Sequence, residues 1–171
     1  MADPNLALLI GMARAMGPLC DQVVFVGGCA TGLLIDNASL MDVRPTEDVD
    51  AIVEVATLAG YHRLAGQLAL RGFKQTMADN TPPFRWYWNR LQLDLVPLDE
   101  KVLGFANPWY RAGFDAAVLA QVDDGLRLRH LSAVNGCLET LFSGCECAVS
   151  SVAGVLSGAR SGGGGQVRRL R

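Results

Sequence analysis

The segment RPTEDVDAIVEV, residues 44–55, constrains this chain more than any other, because two aspartates stand one residue apart where a polar loop turns into an apolar run. In an extended strand the side chains at i and i+2 lie on one side, roughly 6–7 Å apart along the chain. Asp48 and Asp50 therefore share a face of their strand. That spacing suits a divalent ion held between two carboxylates. Upstream, a second apolar run, VVFV at 23–26, stops at Gly27-Gly28. The chain must therefore fold so that one strand ends in a glycine turn and another begins with paired acids.

The surrounding periodicities place these signals on elements. Leu6, Leu9, Ile10, Ala13 and Met16 recur at helical spacing after Asp3-Pro4, which predicts a first helix ending near Gly17-Pro18. The buried strand 23–26 follows, and CATGLLIDN fits a short helix beginning right after the glycines. At such a strand-to-helix turn, the missing β-carbon lets a ligand approach the backbone, and the free N–H groups of the helix start attract phosphate. A loop over 36–46 leads into a strand over 49–55. A helix over 58–70 turns Tyr61, Leu64, Ala65 and Leu68 inward and stops at Gly72.

Beyond Phe73, FRWYWNR and LQLDLVPLD read as two strands joined by a tight hairpin at Asn89-Arg90. The aromatics of the first are expected in the core. In the second, Asp94 lies between Leu93 and Leu95 and so points away from them. An unpaired carboxylate on a central strand is costly, so Asp94 requires a cation or a hydrogen-bond donor. Three carboxylates, two on one strand and one on another, are what two-metal phosphoryl chemistry needs, since one ion activates the attacking hydroxyl and the other holds the triphosphate.

In order and in strand context, Gly27-Gly28, then Arg44-x-Thr46-x-Asp48-Val49-Asp50, then Leu93-Asp94-Leu95-Val96 resemble the DNA polymerase beta-type nucleotidyltransferase superfamily over residues 20–110. More narrowly, the chain is similar to small bacterial nucleotidyltransferase-fold proteins, including the toxin subunits of abortive-infection (AbiE-type) toxin–antitoxin systems. The resemblance implies an α+β fold, a nucleotidyltransferase-like mixed β-sheet with flanking helices. It implies that Gly27 and Gly28 line the triphosphate site, that Asp48 and Asp50 bind two Mg2+ ions, and that Asp94 acts on the nucleophile side. Arg44 and Thr46 match the lead-in of the family; Arg44 pairs with phosphate or is a surface arginine, and Thr46 fixes the loop that aims Asp48 or caps the strand end. The implied activity moves a nucleoside monophosphate from an NTP to an RNA or protein hydroxyl. The alternative is a catalytically impaired module of the same fold that binds a nucleotide or an antitoxin-like protein.

Other chemistries have less support. In GGCATG, Cys29 stands where a dinucleotide fingerprint needs its second glycine, and the acids precede their apolar run instead of following it. No Gly-Lys-Ser/Thr occurs, which excludes a P-loop. Cys20, Cys29, Cys137, Cys145 and Cys147 match no common zinc spacing and read as free thiols, and His62 and His130 have no nucleophile motif beside them. Glu54 falls on the Asp48 and Asp50 face but about 13 Å from Asp50, too far to share an ion. Glu47, Asp99 and Glu100 read as solvated charges. With a net charge of −2 the chain has no global basic field. The acidic Asp3 and the short apolar run at the start predict a soluble, cytoplasmic protein without a membrane segment.

The reading weakens downstream. FDAAVLAQV looks helical, Asp123-Asp124-Gly125 marks a turn, and LRLRHLSAV alternates as a strand. No lysine follows Lys101, and the family's later acidic segment is missing. Residues 1–134 are therefore expected to form the nucleotidyltransferase-like domain. Residues 135–171, rich in Gly, Ser and Cys and ending in Arg168, Arg169 and Arg171, are expected to form a degenerate or flexible tail.

Overall fold

Sheet pairing converts the sequence periods into two faces of unlike chemistry. The computed structural model describes residues 4–34, 45–76 and 81–131. Its elements run α1 (Pro4–Met16), a 3-10 turn (Gly17–Gln22), β1 (Val23–Val26), α2 (Gly27–Ala30), a 3-10 turn (Thr31–Leu34), β2 (Asp48–Val53) and α3 (Leu58–Leu70). β3 (Arg85–Trp88), β4 (Leu91–Pro97), α4 (Glu100–Leu103), α5 (Tyr110–Asp115), β5 (Val118–Asp123) and β6 (Leu126–His130) complete the order. Six strands form one mixed sheet in the order β3-β4-β2-β1-β6-β5. β2 runs parallel to β4 and antiparallel to β1, and β1 runs parallel to β6.

One face is apolar. Val23 and Phe25 of β1, Val49, Ala51 and Val53 of β2, and Leu93 and Leu95 of β4 alternate onto it. Against them pack Leu9, Met12, Ala13 and Met16 of α1 and Leu64 and Leu68 of α3. On α3 the expected Tyr61, Leu64 and Leu68 are buried and Ala65 is partly so, whereas on α1 Leu9, Ala13 and Met16 of the expected stripe are buried together with Met12, and Leu6 and Ile10 are only partly buried. The Thr57 hydroxyl starts α3 by accepting from the Gly60 N–H at 3.1 Å, satisfying a donor that the helix itself cannot. Inside, the Tyr61 hydroxyl donates to the Leu95 carbonyl at 3.0 Å and accepts from Trp86 Nε1 at 3.4 Å, so the polar ends of both buried aromatics find partners.

The other face divides along the strands. Val24, Ile52 and Val96 are buried toward the C-terminal ends of β2 and β4. α5 lies near that end of β2: Arg111 Nη2 donates to Glu54 Oε1 at 2.7 Å, and the Arg129 guanidinium of β6 sits 4.6 Å from the Phe114 ring centroid. Glu54 is thus an ion-pair partner on α5's side and no part of the aspartate cluster. Toward the N-terminal ends of β2 and β4 the same face carries Asp48, Asp50, Gln92 and Asp94.

Three expectations change. The short helix does not begin after the glycines: α2 starts on Gly27 itself, ends at Ala30 and passes into the 3-10 turn Thr31–Leu34, because glycine has no β-carbon to hinder the tight exit from β1. FDAAVLAQV is not a helix: its first two residues close α5, and Val118–Asp123 form the edge strand β5, paired antiparallel with β6. The alanine-rich composition favours helix locally, but the hairpin at Asp123-Asp124-Gly125 gives this stretch a partner strand, and pairing overrides propensity. β2 also ends at Val53, two residues before the apolar run does. The expected tail, residues 135–171, lies outside the described residues, as do Cys137, Cys145 and Cys147. No helix among the described residues is long and apolar enough to cross a membrane.

The core assignment makes a direct prediction. Leu68 is fully buried and Leu70, on the same helix, is 90% exposed. Leu68→Ala is expected to lower unfolding free energy by about 2–5 kcal/mol in a urea titration, and Leu70→Ala to change it by less than about 0.5 kcal/mol.

Candidate metal centre

Register brings the predicted acids together. Asp50 pairs with Asp94 across the parallel β2–β4 ladder, and on its other side Asp50 pairs with Val26, the last residue of β1. Asp94 in turn faces Arg85 across the antiparallel β3–β4 hairpin. Val26, Asp50, Asp94 and Arg85 therefore form one row across four strands. Two residues along, the next row on the same face holds Asp48, Gln92 and Tyr87. Asp48, Asp50 and Asp94 each offer a carboxylate oxygen, and these oxygens lie within 4.8 Å of one another. Asp94 is buried, and Asp48 and Asp50 are partly so.

Each carboxylate is held by a different device. For Asp48 it is the lead-in loop: the Thr46 hydroxyl donates to Asp48 Oδ1 at 2.6 Å. The Thr46 N–H in turn donates to Asn5 Oδ1 at 3.0 Å, tying the loop to the first turn of α1. For Asp94 it is a fork: Arg85 Nε and Nη2 donate to its two oxygens at 2.8 and 2.7 Å, the bidentate geometry that a planar guanidinium matches best. With its amide oxygen turned toward Arg85, Gln92 accepts from the same two nitrogens at 3.2 Å. The fork with Asp94 holds the pKa of the Arg85 guanidinium well above its ordinary range.

For Asp50 the device is a missing atom. Gly27 has φ +72°, and a β-carbon there would collide with the Asp50 carboxylate. Only glycine meets both demands at low cost. Gly28 differs: a β-carbon built on it meets Thr46 at an ordinary 3.7 Å. Gly27, Gly28, Thr46, Asp48, Asp50 and Asp94 are thus gathered at one end of the sheet, whereas Arg44 lies outside the described residues.

Crowding of like charges shows in the titration of Asp50. Burial, then the charges of Asp48 and Asp94, push its carboxyl up to about 7, opposed by Arg85. Cys29, next to this turn, is buried and its thiol donates to the Val26 carbonyl at 3.5 Å. Burial and the Asp50 charge raise its pKa, and burial pushes the Cys20 thiol up to about 12, so neither is a ready nucleophile. His130 is buried, with Nδ1 2.8 Å from the Leu131 carbonyl and its pKa lowered by burial.

The donors fit a hard divalent cation. All three are carboxylate oxygens, the set preferred by Mg2+ and its neighbours over softer metals, and the absent β-carbon of Gly27 leaves Asp50 its place in the set. The three aspartates are close enough to hold a metal ion.

Arg85, Gln92 and Asn5 were not among the residues singled out from the sequence. For Arg85 a signal was present. A two-residue loop at Asn89-Arg90 sets Trp88 opposite Leu91, and counting outward sets Arg85 opposite Asp94. The donor that Asp94 requires is therefore encoded in the hairpin. Asn5 carries no such signal, since its bond to Thr46 joins segments far apart in the chain. Compared with known proteins, the chain matches no family model, and no curated protein is significantly similar to it.

Two predictions follow from this geometry. Gly27→Ala is expected to weaken Mn2+ binding about tenfold or more and to lower the melting temperature, and Gly28→Ala to do neither, as read by calorimetric titration and thermal melts. The second concerns pH. Folded and metal-free, Asp50 keeps its proton up to about pH 7, whereas in the unfolded chain it releases it near 3.8. The unfolded state thus binds fewer protons between these values, so this group makes stability fall as pH rises from about 4 to about 7 and level off above. A bound cation must displace that proton. Titrations in buffers of different ionisation enthalpy should show about one proton released at pH 6 and almost none at pH 8.5.

Proposed function

We propose that this protein is a divalent-metal-dependent nucleotidyltransferase, with a nucleotidyltransferase-like fold, that transfers a nucleoside monophosphate from an NTP to a hydroxyl on RNA or protein. The observation that carries the reading is the convergence of Asp48, Asp50 and Asp94 beside the Gly27 turn, where β1 ends and β2 and β4 begin. The order of motifs along the chain, glycine pair, Asp-x-Asp, then a third acid on the neighbouring strand, supports it. Mg2+ at these carboxylates supplies charge neutralisation for the triphosphate and activation of the attacking hydroxyl.

The residues of the chain do the positioning. Asp48 and Asp50 project from one strand onto one face, so their separation is set by backbone geometry and does not depend on a loop. Thr46 holds the Asp48 carboxylate, and Arg85 holds that of Asp94. The turn at Gly27 and Gly28 borders the phosphates. The acceptor oxygen bonds to the α-phosphorus, the bond to the β-phosphate bridge breaks, pyrophosphate leaves, and the acceptor's proton passes to solvent. With both oxygens of Asp94 already accepting from Arg85, no carboxylate serves as proton shuttle in this scheme.

The test is transfer of label from α-labelled NTPs to RNA and to protein in the presence of Mg2+. Asp50→Ala is expected to abolish transfer, and Thr46→Val to reduce it about tenfold to a hundredfold by freeing Asp48. Transfer that persists in Asp50→Ala, or none with any of the four NTPs on either acceptor class, would overturn the proposal. Binding of Mg2+ and nucleotide without product would instead place the chain among binding modules of this fold.

A further inference from the structure

The Arg85 fork engages both oxygens of Asp94, and its consequence reaches beyond holding one side chain. A carboxylate ligates an ion most readily when its oxygens are free of other strong partners. Here both oxygens already accept charge-assisted hydrogen bonds, at 2.8 and 2.7 Å, from a guanidinium whose partner is buried. When all are ionised, three carboxylates and one guanidinium leave two negative charges, which a single divalent ion balances. A second ion would make the cluster positive while Arg85 remains. The acids themselves are also unequal. Asp48 and Asp50 come from one strand and pair with no arginine among the described residues, whereas Asp94 is paired.

We infer that Arg85 is a positioning residue that sets the ion count of this site: it acts as a resident cation on Asp94, so that one divalent ion seats tightly on Asp48 and Asp50 and a second is opposed. This rests on the metal-dependent reading of the site. It adds that the third carboxylate is released to a second ion only as Arg85 lets go of it. Gln92, within reach of the same two guanidinium nitrogens, gives Arg85 an alternative acceptor on the same strand face.

The probe is Mn2+ alone, titrated into the full chain without nucleotide and read by calorimetry and by electron paramagnetic resonance. The unaltered protein is expected to bind one Mn2+ tightly and a second at least about tenfold more weakly. Arg85→Gln removes the charge and is expected to tighten the second ion about tenfold or more while leaving the first within a few-fold. Arg85→Lys keeps the charge and should leave the second ion weak. Because Arg85→Gln strands a buried carboxylate and is at risk of misfolding, the unaltered protein supplies an independent readout. The Arg85 Nε–H resonance should hold its position through the first equivalent of diamagnetic Mg2+ and shift as the second binds.

Equal affinity for the second ion in Arg85→Gln and the unaltered protein would overturn the inference. So would an Arg85 resonance that does not respond at saturating Mg2+. Both results leave the metal-dependent reading standing if Asp50→Asn abolishes the first ion. Absence of Mn2+ binding in the unaltered protein overturns the inference and that reading together.

Discussion

A buried carboxylate in the middle of a sheet is the constraint around which this structure is arranged. Asp94 sits on β4, flanked by β2 and β3, with only 6% of its surface exposed. Left alone, such a group either takes up a proton or unfolds its strand. The neighbouring hairpin strand resolves this by placing an arginine directly opposite. Both oxygens are then bonded, and the charge is balanced without removing the carboxylate from the face where Asp50 lies. β3 is thus more than an edge that covers apolar surface. One of its faces sends Trp86 into the core, and the other supplies the cation that lets β4 carry an acid.

The same two-sidedness organises the whole sheet. Because successive side chains alternate, Leu93 and Leu95 pack beneath α1 and α3 while Gln92 and Asp94 face the other way. The apolar side provides the stability that the polar side lacks. The connection between the sides is specific: Asn5, in the first turn of α1, holds the Thr46 backbone, and Thr46 holds Asp48. Packing of α1 on the core is thereby linked to the aim of a carboxylate on the opposite face. Gly27 contributes the complementary feature, a backbone that comes close enough to Asp50 that no side chain fits between them.

Much of this was legible in the sequence where the signal was local. Strand 23–26, helix 58–70 and the hairpin at Asn89-Arg90 rest on hydrophobic period and turn chemistry, and the structure places each element as that reading had it. The shared face of Asp48 and Asp50 follows from the strand period alone. What the sequence conceals is pairing between distant segments. Nothing in FDAAVLAQV reveals that residues 118–123 find β6 as a partner, and the local composition argues the other way. Asn5 and Thr46 meet through tertiary packing, so neither residue type nor spacing announces their bond. Arg85 is the intermediate case. Its encounter with Asp94 follows from hairpin register, but only after the loop length has been used to count back along both strands.

The arrangement is poorly explained as a device for stability. Replacing a buried ion pair by well-packed apolar side chains is often neutral or stabilising, whereas here a third and a fourth polar group are added beside the pair. Asp50 is forced up to about 7 by burial first and then by the charges of Asp48 and Asp94, so the metal-free site opposes its own full ionisation. A glycine with positive φ is placed where it relieves contact with one of these acids and contributes no packing of its own. The crowding of the acids opposes folding locally and favours a bound cation, while Gly27 leaves the room they need. Like-charge repulsion concentrated at one end of the sheet, above a core that is otherwise regular, is what a cation held by the three aspartates would relieve. Divalent binding would relieve the repulsion, release the proton on Asp50 and return the cost of assembling the acids, so that occupancy and folding of this end of the sheet become coupled.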